Sequence, residues 1–208
     1  MSKPDTTIDP RILDSAKKEF LENGFEKASL QTICKNAEVT TGALYKRYKG
    51  KEALFCSVVE PTIEGIYAMI RQRTLSQKEL QKISDQELID AWSMKKEVIM
   101  YYFKVFYQYR DGFLLLLKHA AGTKHEDFAH ELVEGMSVST IMYYREGHKR
   151  GLFQREISDE EFHVLLSAFW SAVYEPFIHG MSWEQLEHHA ELLCCYFDWI
   201  HVLDIRGK

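Results

Sequence analysis

The sequence predicts an all-α protein, and three observations lead to that fold class. Apolar residues recur at spacings of three to four through most of the chain, which is typical of amphipathic helices. Only four prolines and eleven glycines interrupt the 208 residues, and no long linker rich in Ser, Gly or Pro occurs. No stretch of four or more residues alternates with period two beside residues that favour hairpin turns. The chain is therefore expected to be helical throughout.

Start and stop signals divide the N-terminal part of the chain into short helices. Ser and Thr favour the cap position, where the side-chain oxygen accepts from a backbone amide, and Gly favours the end of a helix. The predicted helices are a first from Ile12 to Leu21 ended by Asn23-Gly24, a second capped by Ser29 and reaching Ala37, a third capped by Thr40 or Thr41 and reaching Tyr48, and, after a turn at Lys49-Gly50, a fourth from Lys51.

Capping boxes mark three later helix starts, because Ser can accept from the amide three residues on while the acid or amide there reaches back. These are Ser84/Glu87, Ser158/Glu161 and Ser182/Gln185. Together with the apolar periodicity they predict further helices over residues 85–109, 113–121, about 125–149, about 159–179 and about 183–203.

Composition and charge limit the classes of protein that remain. With 46% hydrophobic and 27% charged residues, the chain can bury one large or two small cores. The longest apolar runs, such as Val98–Phe103, have six residues, whereas a bilayer span needs about 20, so no membrane span is expected. Residues 1–9 are polar, contain Pro4 and lack an apolar core, which predicts a disordered tail and no secretory signal.

The charge is unevenly distributed along the chain. The overall net charge is −5, but residues 1–57 hold 10 basic and 8 acidic residues, a net charge of +2, which leaves −7 for the rest. Between Lys27 and Lys51 six basic residues accompany one acid, Glu38. This pattern indicates a small basic module joined to an acidic body, and a basic module favours nucleic acid as a partner.

Two short helices joined by Glu38-Val39-Thr40 suit a helix-turn-helix, whose second helix enters the major groove of DNA. The segment Ile12–Phe55, ILDSAKKEFLENGFEKASLQTICKNAEVTTGALYKRYKGKEALF, closely resembles the DNA-binding domain of the TetR family of repressors. The resemblance implies a DNA-binding domain over residues 10–55. It also implies a helical ligand-binding and dimerisation domain over 56–208, where the likeness is faint and centres on 146–153.

The resemblance and the residue types together assign the faces of the helix-turn-helix. Ile33, Ala37, Val39 and Leu44 have the spacing of core residues that hold the two helices together. Hydroxyls, amides and a glycine at a helix N-terminus suit phosphate, and Lys or Arg can donate to guanine. The predicted DNA-binding residues are Ser29, Gln31, Thr40, Thr41, Gly42, Tyr45, Lys46, Arg47 and Lys51. For Lys46 or Arg47 taken singly, the alternative to DNA contact is a solvated position on the surface.

Glu38 departs from the resemblance, because many relatives have Gly at this position of the turn. If the position requires a positive φ, a side chain there costs about 1–2 kcal/mol, and its charge also repels phosphate. A weaker operator affinity or a different turn geometry is therefore expected, with function retained.

The C-terminal part is rich in aromatic residues, most of which are expected to pack in the core. Some of them must line a pocket if the family's small-molecule site is present, and rings beside methionines would make a mostly apolar cavity with a few polar groups. The residues predicted to line it are Met69, Trp92, Tyr102, Phe106, Tyr143, Trp170 and Tyr174. The expected effector is a small apolar or aromatic molecule.

Metal and catalytic sites are not expected. His125 and His130 are five residues apart, whereas the zinc motif HExxH needs a spacing of four on one helix face. No Ser-His-acid order, phosphate loop or cofactor fingerprint occurs, so neither enzyme activity nor a cofactor is predicted. The cysteines lack disulfide or zinc spacing, which favours a cytoplasmic protein. They are Cys34, Cys56 and the vicinal pair Cys194 and Cys195, for which a redox or soft-metal role is weighed against a buried thiol pair.

The sequence thus predicts a cytoplasmic, homodimeric, ligand-responsive regulator of transcription, with a repressor released from a palindromic operator as the expected type. The alternative is a helical ligand-binding or protein-interaction module without specific DNA recognition. Dimerisation is expected through the last two long helices. Pro61 either kinks the fourth helix, which would then act as a lever, or ends one helix and starts another.

Overall fold

The computed structural model describes residues 8–205, and within them the chain is helical with no strand beyond an isolated bridge between Phe153 and Ile205. The all-α prediction is confirmed. The helices are α1 (Ile8–Lys27), α2 (Leu30–Asn36), α3 (Thr41–Arg47), α4 (Lys51–Arg73), α5 (Gln77–Leu80), α6 (Asp85–Asp90), α7 (Lys96–Gln108), α8 (Arg110–Lys118), α9 (Phe128–Lys149), α10 (Asp159–Ile178), α11 (Trp183–Tyr196) and α12 (Trp199–Val202).

The described residues divide into two compact units. The first, called the N-terminal unit, consists of residues 8–66 and 109–129, and the second, the C-terminal unit, consists of 67–108 and 130–205. In the N-terminal unit α1 packs against α2 and α8, and α2 packs against α3. The ring of Phe55 lies at its centre, 5.1 Å from Phe20 and 5.5 Å from Phe25 between centroids. This aromatic cluster ties the start of α4 to the end of α1.

Two glycines of the N-terminal unit have backbone roles. Gly24 has φ 71, so the helical path of α1 is broken near its end, where the sequence predicted the helix to stop. Gly112 on α8 lies so close to α4 that a Cβ atom there would be 1.9 Å from Thr62 Oγ1. The second glycine therefore sets the distance at which α8 packs on α4.

In the C-terminal unit α7 packs against both α10 and α11. A second aromatic cluster surrounds Trp92, whose ring centroid lies 5.8 Å from Phe153, 6.0 Å from Phe162 and 5.9 Å from Trp199. These rings come from four separate segments of the chain, so one cluster joins segments that are distant in the sequence.

Arg150 follows α9 and fastens the α5–α6 region of the C-terminal unit. Its guanidinium donates to the carbonyls of Leu80 and Ile83 at 3.0 and 2.8 Å, and to the carboxylates of Glu146 and Asp85 at 2.8 and 3.1 Å. Glu146 is nearly buried. The segment 146–153, which carries the faint C-terminal resemblance, therefore has a structural role.

The prediction of a single helix over residues 85–109 is wrong, because two helices occupy this stretch. Its first part, α6, ends at Asp90, and a turn leads to the start of α7 at Lys96. The turn places Trp92 in the aromatic cluster, where its side chain is buried. Burial of this ring outweighs the continuation of the helical pattern, because a large aromatic side chain gains more from burial than a helix loses at one interruption.

The predicted helix over 183–203 is also divided. Its first part, α11, ends at Tyr196, and Asp198 begins the short α12 by accepting a hydrogen bond from His201 N at 3.1 Å. The helix predicted from about 125 begins at Phe128. Of the predicted disordered tail, residues 1–7 lie outside the described residues, whereas Ile8 and Asp9 begin α1.

Helix α4 passes through Pro61 without ending, so the alternative in which this proline separates two helices is wrong. By length and composition the stretch Lys51–Leu80, which contains an 18-residue window with a mean hydropathy of 1.4, could cross a bilayer. Its apolar side chains at Leu54, Phe55, Val59 and Ile66 are buried in the protein, while Glu52, Glu60 and Glu64 are exposed. This two-faced pattern is that of a helix packed against a protein core.

Candidate nucleic-acid interface and ligand cavity

Two side-chain caps position the helix-turn-helix of the N-terminal unit. Ser29 Oγ accepts from Thr32 N at 3.3 Å, and Thr40 Oγ1 accepts from Ala43 N at 3.1 Å. These caps fix the starts of α2 and α3, as the sequence predicted. Ile33 and Leu44 are fully buried between the helices, and Ala37 and Val39 also face inward to different extents.

Helix α1 orients α2 through two buried polar side chains that the sequence analysis missed. Ser15 Oγ donates to Ile33 O at 3.0 Å, and Glu19 Oε1 accepts from Ser29 N at 2.9 Å. Both α1 side chains are buried. No local signal could identify them, because their partners lie ten and eighteen residues further along the chain.

The turn between α2 and α3 contains a strained residue. Glu38 has φ 54, the left-handed region that favours glycine. Its side chain is 86% exposed, and its carboxylate lies 3.9 Å from Arg11 Nη1. The turn therefore forms with Glu in place of Gly. The substitution adds backbone strain and a negative charge to it.

The outer face of α3 presents the predicted contact residues to solvent. Thr40, Thr41, Gly42, Tyr45 and Lys46 are all exposed, and Tyr45 remains 54% exposed despite its large ring. A capped helix N-terminus carries free backbone amides and a partial positive charge, so this end of α3 suits phosphate. On α2, Gln31 is exposed, whereas Ser29 is half-buried and its hydroxyl is engaged in the cap.

The structure places two of the predicted DNA-binding residues differently from the others. Arg47 Nε lies 2.7 Å from Asp9 Oδ1, and its Nη1 donates to Ala43 O at 3.3 Å. Lys51 Nζ donates to Glu26 O at 2.8 Å and to Ala28 O at 3.2 Å, and it lies over the Phe25 ring. Both side chains thus fasten the N-terminal unit, because basic groups at helix ends find carbonyls and acids nearby.

A cavity of about 210 Å³ lies in the C-terminal unit. Five of the seven residues predicted to line a pocket line this one: Met69, Trp92, Tyr102, Tyr143 and Trp170. Phe106 is instead fully buried, 5.8 Å from the Phe177 ring, and Tyr174 shares a hydrogen bond with Ser171 Oγ at 3.1 Å. These two residues therefore do not line this cavity.

The polar lining of the cavity was missed by the sequence analysis. The lining includes Arg73, Thr74, Asp90, Ser139 and Thr140, which the sequence presents as ordinary exposed positions of amphipathic helices. They reach one cavity only because α4, α6, α7, α9 and α10 all contribute to its wall.

Arg73 is the basic group of the cavity. Its guanidinium carbon lies 4.9 Å from the ring centre of Tyr101 and 5.3 Å from that of Tyr102. Burial raises the pKa of the Tyr102 and Tyr143 phenols, and the charge of Arg73 partly opposes this effect. Both phenols are therefore neutral hydrogen-bonding groups at neutral pH.

Within residues 8–205 no group of three or more His, Cys, Asp or Glu side chains is arranged to hold a metal ion. The four cysteines are free thiols. Of the vicinal pair, Cys195 is exposed, and Cys194 is half-buried with a pKa raised mainly by that burial.

Comparison with known proteins matches the helix-turn-helix region to a family. The profile described as "Bacterial regulatory proteins, tetR family" matches residues 12–58, which contain α2, α3 and their turn. Over these residues the chain is similar to the TetR family. The matched residues hold both helix caps and the exposed face of α3.

Relatives with sequence similarity align over a part of the chain. The HTH-type transcriptional regulator UidR of Escherichia coli K12 is 39% identical over 62 residues, which is 30% of this chain and 32% of UidR. The match thus spans about a third of the length of these curated relatives.

Solved structures resemble the whole chain at low identity. NalD of Pseudomonas aeruginosa, described as the secondary repressor of a multidrug efflux pump, is 16% identical with a TM-score of 0.59, covering 97% of this chain and 98% of NalD. FadR of Bacillus subtilis, solved in complex with stearoyl-CoA, is 16% identical with a TM-score of 0.54, covering 89% of this chain and 95% of FadR. At this identity the likeness establishes the fold.

Proposed function

We propose that this chain is a cytoplasmic, TetR-type transcriptional regulator that binds a palindromic DNA operator as a homodimer and releases it when a small molecule occupies the C-terminal cavity. The observation that carries the proposal is the exposed, capped N-terminus of α3, with Tyr45 and Lys46 projecting from the same short helix. The family match covers this region.

In the proposed complex α3 enters the major groove. Thr40, Thr41 and Gly42 lie where backbone amides and hydroxyls meet a phosphate, and Gly42 has no side chain to hold the backbone away. Tyr45 and Lys46 reach base edges or the adjoining sugar-phosphate backbone. Gln31 supplies a further polar contact from α2. Arg47 and Lys51 contribute by holding the unit in shape, because their donors already have protein partners.

Dimerisation is proposed through α10 and α11. Many of the apolar residues on these helices face their own chain, including the buried Phe169, Trp170 and Leu193. The apolar surface that remains consists of Val164 and Leu165 on α10 and Leu192 and Tyr196 on α11, which are 37–82% exposed. Pairing this surface across a two-fold axis buries it, and an operator with two half-sites would match the same symmetry.

The effector proposal rests on the cavity and on α4. Met69, Ile70 and Arg73 line the cavity from the last turns of α4, whose first residue, Lys51, follows the helix-turn-helix by one short turn. A ligand that tilts this helix would change the spacing between the two α3 helices of the proposed dimer. NalD is described as a repressor and FadR was solved with an acyl-CoA, so repression and ligand binding both occur on this fold.

The proposal is tested by measuring the affinity of the full chain for fragments of its own genome against random DNA at physiological salt. We expect a preferred fragment, with Tyr45→Ala and Lys46→Ala each weakening it by about 1–3 kcal/mol if the side chain contacts a base. Lys78→Ala, an exposed lysine of the C-terminal unit, is the control and should change little. Equal affinity of the wild type for all fragments would favour a helical ligand-binding module without specific DNA recognition.

A further inference from the structure

Two hydrogen-bond donors in the wall of the cavity have no partner. Trp92 and Trp170 line the cavity and are 5% and 4% exposed. Within residues 8–205 neither indole Nε1 donates a hydrogen bond. A buried donor without an acceptor costs about 1–3 kcal/mol, and an indole can only donate. Both Nε1 atoms are closed to solvent, so an acceptor that reaches them as the wall adjusts to a ligand would remove that cost.

The Ser and Thr hydroxyls of the wall donate to backbone carbonyls and not into the cavity. Thr74 Oγ1 donates to Ile70 O at 2.8 Å, while Ser139 Oγ and Thr140 Oγ1 donate to Met136 O at 3.2 and 3.0 Å. Each of these hydroxyls satisfies a carbonyl of its own helix. The donors left for a ligand are therefore those of the two indoles, the phenols and the Arg73 guanidinium.

The wall carries one basic and one acidic side chain, and the basic one offers donors to an anion. Arg73 is stacked against the two tyrosine rings, which hold its guanidinium beside the cavity. Asp90, the acid among the lining residues, accepts a hydrogen bond from Gln86 Nε2 at 3.0 Å. A guanidinium offers planar paired donors that match a carboxylate, and carboxylate oxygens also accept from indole N–H groups.

The shape and volume of the cavity restrict the rest of the molecule. Its remaining walls are rings, the thioethers of Met69 and Met136, and a few aliphatic side chains, and the Tyr102 ring lies 5.0 Å from that of Trp170 at an interplanar angle of 89°. Flat apolar walls suit an aromatic ring. The volume of about 210 Å³ lies below the roughly 300–1,000 Å³ of sites for drug-sized ligands. A molecule of the size of an acyl-CoA would extend beyond it.

We infer that the cavity binds a compact aromatic carboxylate, whose anionic group accepts hydrogen bonds from Arg73 and the two indoles while its ring lies among the aromatic walls. This inference rests on the proposed function in taking that anion to be the effector. It narrows the class predicted from the sequence, which was a small apolar or aromatic molecule, by adding a negative charge.

Calorimetric titration of the full chain with three probes tests the ligand class. The probes are 2-naphthoate, its neutral amide 2-naphthamide, and hexanoate, which has the charge without the ring. We expect 2-naphthoate to bind at least about tenfold more tightly than either of the others, because only it offers both a charged acceptor and a flat body. Equal affinity for acid and amide, or no binding of 2-naphthoate, would overturn the inference.

Variants locate the contact. Arg73→Gln should reduce the preference for acid over amide to about threefold or less, since the charged donor is lost. Trp170→Phe keeps a ring and removes only the N–H, so it should weaken 2-naphthoate severalfold. Arg71→Gln, an exposed residue of the same helix turn that does not line the cavity, is the matched control. Identical titrations for the Arg73 and Arg71 variants would contradict the inference, even if Trp170→Phe failed to fold.

Failure of the inference and failure of the proposed function give different results. Specific DNA binding by a protein that does not bind 2-naphthoate overturns the inference and leaves the regulator proposal in place. Binding of 2-naphthoate by a protein without specific DNA binding supports the ligand class and overturns the regulator proposal. Release of DNA by 2-naphthoate, but not by 2-naphthamide at the same concentration, supports both.

Discussion

At the scale of single residues, Glu38 shows how a side chain can be tolerated where glycine is favoured. The turn of the helix-turn-helix requires φ 54 at this position, and the neighbouring Arg11 lies 3.9 Å from the carboxylate. An exposed ion pair at that distance contributes little to stability. The strain is therefore largely uncompensated, and it persists because α2 and α3 are fixed by their own caps and core residues.

Glu38→Gly is expected to raise the free energy of unfolding by up to about 1 kcal/mol, since the relief of strain exceeds the added entropy of the unfolded chain. Urea denaturation measures it. Glu38→Ala is the control, because it removes the same charge and leaves the strain. If the alanine variant gains as much stability as the glycine variant, the charge is the cause and the backbone argument fails.

Arg150 donates to several acceptors, so its substitution leaves all of them without this donor at once. Arg150→Met keeps the aliphatic stem and leaves two carbonyls and the nearly buried Glu146 carboxylate without a donor. We expect the free energy of unfolding to fall by about 2–3 kcal/mol. Arg145→Met, five residues earlier on α9, breaks an exposed pair with Asp159 and should cost less than about 1 kcal/mol. Equal losses in thermal or urea denaturation would show that the carbonyl contacts contribute nothing.

At the scale of helices, α4 is continuous over Lys51–Arg73 although a proline occupies its eleventh position. Proline removes one backbone hydrogen bond and crowds the preceding turn, which costs about 3 kcal/mol or more in a helix interior. Packing of the buried side chains on both sides of Pro61 holds the helix together. A helix weakened at one point suits the proposed lever between the ligand cavity and the DNA-binding face.

Pro61→Ala is expected to stabilise the protein by about 1–3 kcal/mol, because position 61 is exposed and the substitution restores a hydrogen bond without removing buried area. The proposed lever adds a second expectation, that the stiffer helix responds less to ligand. Urea denaturation and DNA release measure the two effects. Glu60→Ala, the exposed neighbour, is the control, and a loss of stability in the proline variant would contradict the argument.

At the scale of the whole molecule, the proposed homodimer depends on a small apolar surface rather than on two entire helices. Leu192→Glu places a charge within the surface formed by Val164, Leu165, Leu192 and Tyr196, and it should convert the dimer to a monomer in light scattering at micromolar concentration. Val138→Glu on α9 changes an equally exposed valine outside that surface and should leave the dimer intact. A monomeric wild type, or dissociation by both substitutions, would contradict the proposal.

Features that depend on neighbouring residues were readable from the sequence. The caps at Ser29 and Thr40 and the three capping boxes join groups three residues apart, so residue type and spacing alone specify them. The all-α fold class and the order of the first four helices follow from these signals and from apolar periodicity. A fourth box, Ser76/Glu79, has the same signature and was missed because the helix it begins has only four residues.

Features that depend on distant residues were decided by the tertiary structure. Lys51 and Arg47 look like free basic groups in the sequence, yet carbonyls of Glu26 and Ala28 and the carboxylate of Asp9 engage them. The same holds for Arg73, which becomes a cavity residue where α4 meets its neighbours. Sequence spacing determined which helices form and which faces are apolar. Which polar group finds a partner, and which buried donor lacks one, depended on segments brought together only by folding.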